Sequence, residues 1–178
     1  MDTEANQFPH SGFKEQPQSE DCLFLNITKP TSLSHTPSPS PSSGSGSSSG
    51  LPVVVFLHGG AFFLGSSSRP YCSPLNFLTR SIETNHQVIF ISINYRPSTL
   101  GFLSSPDVVP DSDHFLLPPN NRLHDQFRAF EWIHRNVGGL GGAPSRITAI
   151  GQSAGGMSLA LHSISGNETI PSFRQMVG

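Results

Sequence analysis

Three short apolar runs, separated by segments with helical spacing, constrain the fold of this chain more than any other feature of its sequence. Each run is rich in β-branched or aromatic residues, as expected of a strand buried on both faces. Alternation of such strands with helices implies right-handed crossovers and a largely parallel sheet. The runs are residues 53–57 (VVVFL), 88–93 (VIFISI) and 147–150 (ITAI), and alternating Leu23, Leu25 and Ile27 predict an earlier strand. The sequence therefore predicts an α/β fold.

Helical patterns fill the intervals between these runs. Ser73 and Pro74 predict a helix start, with serine as N-cap and proline at the first helical position. Residues 95–119 are predicted to be a long irregular connection, and residues 154–165 a helix. The apolar residues of these helices are Leu75, Leu78 and Ile82 in the first, and Leu123, Phe127, Phe130, Ile133 or His134, and Val137 in a second that ends at Gly138-Gly139. In such sheets function collects at the carboxyl ends of strands, here the loops after Leu57, Asn94 and Ile150.

Composition divides the 178 residues into unequal parts. Residues 31–50 are almost entirely Ser, Pro, Gly and Thr, which cannot bury enough apolar surface to offset the entropy of ordering. We interpret them as a flexible insertion within a domain over residues 19–178, and residues 1–18 as a disordered or incomplete amino-terminal segment. A complete α/β sheet of this type usually needs about 200 residues or more. We therefore expect a domain that is incomplete at both ends.

Charge and hydropathy exclude several classes of partner. The formal charge is −2 and no Lys/Arg run occurs, so nucleic acid is not an expected partner. No apolar run approaches the ~20 residues of a membrane helix, and the amino terminus has no apolar signal segment. Cys22 and Cys72 cannot form a disulfide framework, although a single bridge between them stays open. The sequence leaves localisation and oligomeric state undetermined.

A candidate nucleophile lies in residues 151–155 (GQSAG), which match the G-x-S-x-G nucleophile elbow. In this motif small residues allow a sharp strand-to-helix turn that exposes the serine hydroxyl. Residues 46–50 (GSSSG) match as well. Ser153 follows a predicted strand and precedes a predicted helix, whereas Ser48 has neither neighbour. Context therefore favours Ser153.

A second candidate element, residues 58–62 (HGGAF), directly follows the strand over residues 53–57. Glycines at such a position let backbone N–H groups point at a substrate carbonyl oxygen, as in an oxyanion hole. An ordinary glycine-rich turn is the alternative, and taken alone the motif does not separate the two. Its occurrence together with Ser153 favours the oxyanion hole.

Jointly, these motifs resemble the type-B carboxylesterases, the family of cholinesterases and fungal lipases. The resemblance implies a partial α/β-hydrolase fold with Ser153 as nucleophile and the backbone amides of Gly60, Ala61 and Ala154 as oxyanion donors. No cofactor or metal is implied. It also implies a cysteine partner upstream of Cys22, and none precedes it. The matching stretches are SEDCLFLNI (19–27), HGGAFFLG (58–65), INYRPSTLGFLSS (93–105), NNRLHDQFRAFEWIHRNV (120–137) and LGGAPSRITAIGQSAGG (140–156).

Within the resemblance, three residues depart from the family pattern. Leu140 stands where phenylalanine is usual, Ala149 replaces a larger aliphatic residue, and Gln152 replaces the commoner glutamate beside the nucleophile. We expect these changes to affect packing around the elbow without removing its chemistry.

The chain lacks the residues that would complete a catalytic triad in the expected order. A serine nucleophile needs a histidine oriented by a carboxylate, and in α/β-hydrolases both follow the serine, acid first. After Ser153 the titratable candidates are His162 and Glu168, in the reverse order. On a helix His162 would lie about 13 Å along the axis and face away from the serine.

Other polar or aromatic residues receive structural interpretations. His124 and His134 are expected at a helix surface, and Arg96, Asp125 and Arg146 in structural hydrogen bonds or ion pairs. Trp132 is expected to pack against the sheet.

The sequence thus predicts a serine carboxylic ester hydrolase that acts on a small-molecule carboxylic ester through an acyl-enzyme on Ser153. Two alternatives stay open. The chain is a truncated, non-catalytic family member or binding scaffold, or it applies the same serine chemistry to a thioester or peptide. Because a sheet that ends at its nucleophile strand leaves apolar surface uncovered, we expect the isolated chain to aggregate or to be partly disordered.

Overall fold

The computed structural model describes residues 19–31, 50–102, 120–164 and 175–177. Residues 1–18 and nearly all of the predicted insertion over 31–50 lie outside these ranges. The strands are β1 (Leu25–Thr28), β2 (Leu51–Leu57), β3 (Ile89–Ile93), β4 (Gly142–Gly151) and β5 (Gln175–Val177). The α-helices are α1 (Leu75–Glu83), α2 (Ser98–Phe102), α3 (Asn121–Asn136) and α4 (Ala154–Ile164), with short 3-10 turns at Pro70–Cys72 and Val137–Leu140.

The described strands form one sheet in the order β1-β3-β2-β4-β5. β3, β4 and β5 each pair in parallel with a neighbour, and β2 pairs in parallel with both β3 and β4. Val55 therefore lies beside Ile91 on one side and Ala149 on the other. β1 runs antiparallel to β3. The predicted α/β fold with a mostly parallel sheet is confirmed.

Opposite faces of the sheet bury different helices. β3 and β4 flank β2 on opposite sides, so right-handed crossovers place α1 on one face and α3 on the other. The face of α3 and α4 carries the larger core, and full burial of each large apolar side chain there contributes about 1.5–3 kcal/mol. Its buried members are Val53, Val55, Leu57, Ile89, Ile91, Ile93, Phe130, Ile133, Val137, Ile147, Ala149 and Leu159, whereas the α1 face buries Val54, Leu78 and Phe90.

Several local predictions were wrong. α1 begins at Leu75 after Pro74, without a side-chain cap from Ser73. Only Leu78 of its three spaced apolar residues is buried, while Leu75 is 65% exposed. Trp132 is 44% exposed and does not pack in the core. Leu75 shares the helical period of buried Leu78, so period alone could not predict that Leu75 is exposed.

Two further differences concern element length and composition. β4 begins at Gly142, earlier than the predicted start at Ile147, because its first residues continue along β2 through an irregular register. The connection after β3 contains the short helix α2. α3 buries polar residues in its first two turns, namely Asn121, Arg122, Asp125 and Gln126. No helix in the described ranges is long and apolar enough to cross a membrane.

Candidate active site

Ser153 lies at the sharp turn between β4 and α4, with a left-handed backbone angle φ of +53°. Such a conformation is costly for a non-glycine residue and persists only where the surroundings enforce it. Gly155 allows the following helix to approach β2, because a Cβ there would overlap the carbonyl of Leu57 and lie 2.9 Å from that of His58. The G-x-S-x-G spacing therefore has a steric reason in this fold.

A loop over residues 58–65 follows β2 and contains the predicted oxyanion motif, and after that prediction it is here called the oxyanion loop. Gly60, Ala61 and Phe62 all have left-handed φ angles, of +124°, +52° and +64°. The carbonyl oxygen of Gly60 accepts hydrogen bonds from the amides of Phe63 and Leu64 at 2.9 and 3.0 Å. These bonds close a tight turn.

The oxyanion loop contacts the turn that holds Ser153. A Cβ on Gly59 would lie 3.1 Å from the Cβ of Ser153 and 2.7 Å from the carbonyl oxygen of Gln152. The amide of Gln152 also donates to the carbonyl of Leu57 at 3.2 Å. The tertiary structure thus brings together the two motifs that the sequence separates by about 90 residues.

The three amides predicted as oxyanion donors lie on either side of this contact. Gly60 and Ala61 follow Gly59, and Ala154 follows Ser153 as the first residue of α4. Among the described residues, none of these three amides donates to another backbone carbonyl or side chain. The first amides of a helix carry partial positive charge and favour an anion. The arrangement can therefore supply N–H donors near Ser153.

His58 supports the oxyanion loop from below. It is fully buried, and its Nδ1 donates to the Gly59 carbonyl at 2.9 Å, since that oxygen can only accept. Its ring stacks on Tyr95 with centroids 4.2 Å apart, and the Tyr95 hydroxyl donates to the His58 carbonyl at 2.5 Å. Burial lowers the pKa of His58 and raises that of Tyr95 to about 12. Both groups are therefore neutral near pH 7.

A buried hydrogen-bond network joins α3 to α4 behind Ser153. His162 Nε2 lies 2.9 Å from the side-chain oxygen of Gln126, whose nitrogen donates to Ser158 Oγ at 3.2 Å. Ser158 Oγ in turn donates to the carbonyl of Ala154 at 3.0 Å. Burial, with a smaller contribution from the charge of His124, lowers the pKa of His162 to about 4. His162 is thus a neutral member of the network.

The arginines predicted to be structural are confirmed as such. Arg96 donates from Nε and Nη2 to the two carboxylate oxygens of Asp125, both at 2.7 Å, and its amide donates to the same carboxylate at 3.1 Å. This contact ties the loop after β3 to α3. Arg146 donates to the carbonyl of Gly50. Both thiols are free, so the Cys22–Cys72 bridge is not formed.

Two of the departures from the family pattern lie in different surroundings, since Ala149 is buried and Gln152 is exposed. Ala149 is fully buried in the main core, and Gln152 is held to β2 by its backbone amide. His124 and His134 are exposed on α3, as predicted.

Sequence reasoning missed the residues that hold the site in place. Tyr95 lies in the loop after Asn94, which the sequence places at the functional edge of the sheet, so its position could have indicated a role near the site. Gln126, Ser158 and Arg122 offered none, because each contacts residues distant in sequence. Within the described ranges, no group of three or more His, Cys, Asp or Glu could hold a metal ion.

Strand order, a strained serine after β4 and an adjoining glycine-rich loop after β2 define a partial α/β-hydrolase fold. Two solved structures of pNB esterases superpose on it. A thermophilic pNB esterase covers 83% of this chain with a TM-score of 0.62 and 35% identity, and the match spans 26% of that protein. Another pNB esterase structure covers 92% of this chain with a TM-score of 0.68 and 32% identity, and the match spans 29% of that chain.

Sequence comparison gives the family. The model of the carboxylesterase family matches residues 3–177, and the chain belongs to that family. It is 36% identical to lipase 4 of Diutina rugosa over 143 residues, 80% of this chain and 23% of the lipase. It is 38% identical to human bile salt-activated lipase over 152 residues, 82% of this chain and 17% of that protein. The chain therefore spans about a quarter or less of these relatives.

Proposed function

We propose that the full-length protein containing this chain hydrolyses carboxylic esters through an acyl-enzyme on Ser153. The observation that carries the proposal is the contact between the oxyanion loop and the elbow, with Gly59 against Ser153. A nucleophile beside free N–H donors is the arrangement that acyl transfer requires. Relatives with lipase and esterase names support an ester as the substrate class.

In the proposed reaction, Ser153 Oγ attacks the ester carbonyl carbon and its proton passes to a base. The oxyanion that forms accepts hydrogen bonds from the amides of Gly60, Ala61 and Ala154. The C–O bond to the alcohol then breaks, and the alcohol leaves with the proton. Water attacks the acyl-enzyme in the same way and releases the acid and free Ser153. Loss of one oxyanion donor typically lowers such rates about 100- to 1000-fold.

The proposal assigns the base to a histidine outside the described residues. His58 is buried and bonded to Gly59, and His162 is bonded to Gln126. The lowered pKa values of His58 and His162 keep both rings neutral, as a general base must be. Their hydrogen bonds to Gly59 and Gln126, however, hold them away from the role of base for Ser153. The triad acid is likewise assigned outside the described ranges.

Replacement of Ser153 by alanine in the full-length protein tests the proposal. We expect turnover of a p-nitrophenyl ester to fall at least about 1000-fold, since a triad acts as a unit. Ser163→Ala is the matched control, because Ser163 is an exposed serine on α4, the helix that follows Ser153, and its described hydrogen bond is a local one to the Ala160 carbonyl at 2.7 Å. Unchanged turnover in Ser153→Ala would refute the mechanism.

The same histidines also favour the alternative function, a non-catalytic scaffold, because no described histidine is hydrogen-bonded to Ser153. A fluorophosphonate probe separates the two functions, because covalent labelling requires an activated serine. Labelling of the wild-type protein, absent in Ser153→Ala, would exclude the scaffold. A panel of ester, thioester and peptide substrates would then distinguish the substrate class.

A further inference from the structure

Arg122 places a charged group between the oxyanion loop and helix α2. The side chain comes from the first turn of α3, and the residue is 3% exposed. Its guanidinium carbon lies 3.9 Å from the ring centroid of Phe62 and 3.6 Å from that of Phe102. The two rings meet edge to face, 6.1 Å apart at 87°. The guanidinium is therefore in contact with aromatic rings from two separate elements.

The surroundings of this cation identify the rings as its main described partners. The nearest carboxylate on α3, Asp125, is engaged by Arg96 on both oxygens. Arg122 Nε and Nη1 are buried and have no hydrogen-bond partner among the described residues. A guanidinium is planar and weakly hydrated, so it stacks on aromatic faces where an ammonium does so less well. The contact with Phe62 and Phe102 offsets part of the cost of burying the charge.

One of these rings belongs to the strained part of the oxyanion loop. Phe62 and the preceding Ala61 both have left-handed φ angles, which need outside support to persist. The carbonyl of Phe62 accepts a hydrogen bond from the amide of Ser98 at 2.7 Å. Phe62 is thus held at its backbone by Ser98 and at its ring by Arg122. Ala61 directly precedes this held residue, within the turn that the hydrogen bonds to the Gly60 carbonyl close.

Arg122 itself has rigid support. A Cβ on Gly101 would lie 3.2 Å from the Cβ of Arg122, so α2 packs closely against the start of α3. Asp125, about one turn further along α3, is bonded to Arg96 in the loop before α2. The packing of α2 against α3 therefore fixes the position of the Arg122 backbone, from which the guanidinium extends.

We propose that Arg122 is a positioning residue for ester hydrolysis, whose stacked guanidinium holds Phe62 and thereby the neighbouring Ala61 amide in the geometry of an oxyanion donor. The inference rests on the proposed function for its catalytic consequence. Its structural part, that Arg122 fixes the oxyanion loop, stands on the contacts alone. Arg122 touches neither the substrate nor the reacting atoms in this assignment.

Kinetics of three variants of the full-length protein test the catalytic part. Arg122→Met keeps the length of the side chain and removes the planar cation, and we expect kcat per labelled active site to fall about 10- to 100-fold with KM changed less than about threefold. Arg122→Lys should recover part of the loss. Arg128→Met is the matched control, because Arg128 is an exposed arginine on the same helix and its partner among the described residues is Glu131. It should retain wild-type kinetics.

A trifluoromethyl ketone inhibitor separates positioning from general damage. Its bound oxyanion occupies the donor site, so its inhibition constant should rise in Arg122→Met by the same factor as kcat/KM falls. Damage to folding alone would lower the amount of active protein and leave the inhibition constant unchanged. An unchanged constant, or a kcat within twofold of wild type, would overturn the catalytic part.

Hydrogen exchange in the absence of substrate tests the structural part. In Arg122→Met the amides of residues 60–65 should exchange at least about tenfold faster, while those of the core strand β2 keep their wild-type rates. Equal rates in the loop would overturn the inference, and faster exchange in both would indicate general unfolding and also count against it. If wild-type protein is not labelled by a fluorophosphonate, the proposed function fails, and the exchange result alone still decides whether Arg122 holds the loop.

Discussion

Ser153 and Ala61 have nearly the same left-handed backbone angle, φ of +53° and +52°, yet the chain holds them in different ways. Ser153 lies between two regular elements, β4 and α4, and the residues that permit its turn are its immediate neighbours in sequence. Ala61 lies in an irregular loop that is supported by side chains from elsewhere, Tyr95 and Arg122 among them. Close backbone packing, which small residues beside Ser153 permit, holds the nucleophile, whereas side-chain contacts hold the oxyanion loop.

The comparison also explains where the two motifs tolerate change. The elbow depends on close approach of backbones, so an added methyl group would overlap backbone atoms. The oxyanion loop depends on ring stacking and single hydrogen bonds, each of which contributes a modest amount. We therefore expect small changes at the elbow to be severe and changes around the loop to be graded.

The largest effect is expected for Gly155→Ala at the elbow. The new Cβ would overlap the Leu57 carbonyl at the end of β2, and backbone cannot move aside cheaply. We expect the free energy of unfolding of the full-length protein to fall by about 3 kcal/mol or more, measured by urea denaturation. Gly139→Ala is the control, since no described residue other than its chain neighbours lies within 4 Å of its Cβ position. Equal stability of the two variants would contradict the steric account of the elbow.

An effect of intermediate size is expected when the pH is lowered, because the buried hydrogen-bond network of Gln126, Ser158 and His162 contributes to the free energy of unfolding in a pH-dependent way. The pKa of His162 is about 4 in the folded protein, below its ordinary value of 6.5, so the unfolded chain binds the proton more tightly. The stabilisation from His162 is therefore fully present above pH 6.5 and is lost as pH falls towards 4, by about 2–3 kcal/mol. His58 contributes in the same direction because its pKa is also lowered.

Urea denaturation of wild type and His162→Gln at pH 7 and pH 4.5 measures how much His162 contributes to the pH dependence of the free energy of unfolding. The free energy of unfolding of the variant should fall less between these two pH values, and the remaining fall is the contribution of His58. A wild-type protein as stable at pH 4.5 as at pH 7 would contradict burial of neutral histidines in this network.

The smallest effect is expected for Tyr95→Phe beneath the oxyanion loop. The change removes the hydrogen bond to the His58 carbonyl but keeps the ring that stacks on His58. We expect a loss of about 1–2 kcal/mol in the free energy of unfolding, because a buried carbonyl loses its described donor. Tyr71→Phe is the control at an exposed tyrosine. If Tyr95→Phe equals Tyr71→Phe, the hydroxyl does not support the loop.

Much of the fold could be predicted because each strand core is a contiguous run with its own hydrophobic signature. β2 and β3 agree with the predicted runs within two residues at either end. The start of β4 could not be predicted, since Gly142 to Arg146 carry no apolar run and only Gly142 among them pairs with β2, before the register shifts. Helix faces were harder, because Leu75 has the helical period of buried Leu78 and is nevertheless exposed.

Sequence alone determined the identity of the candidate site and its family. The elbow can be recognised from adjacent residues, because a sharp turn with close backbone approach needs small side chains at fixed spacing around Ser153. The oxyanion motif is equally local. Only the tertiary structure decided that Gly59 lies against Ser153, that Tyr95 bonds to the His58 carbonyl and that Arg122 stacks on Phe62. These contacts join residues about 40 to 90 positions apart, and no local pattern encodes them because they form only once sheet and helices have packed.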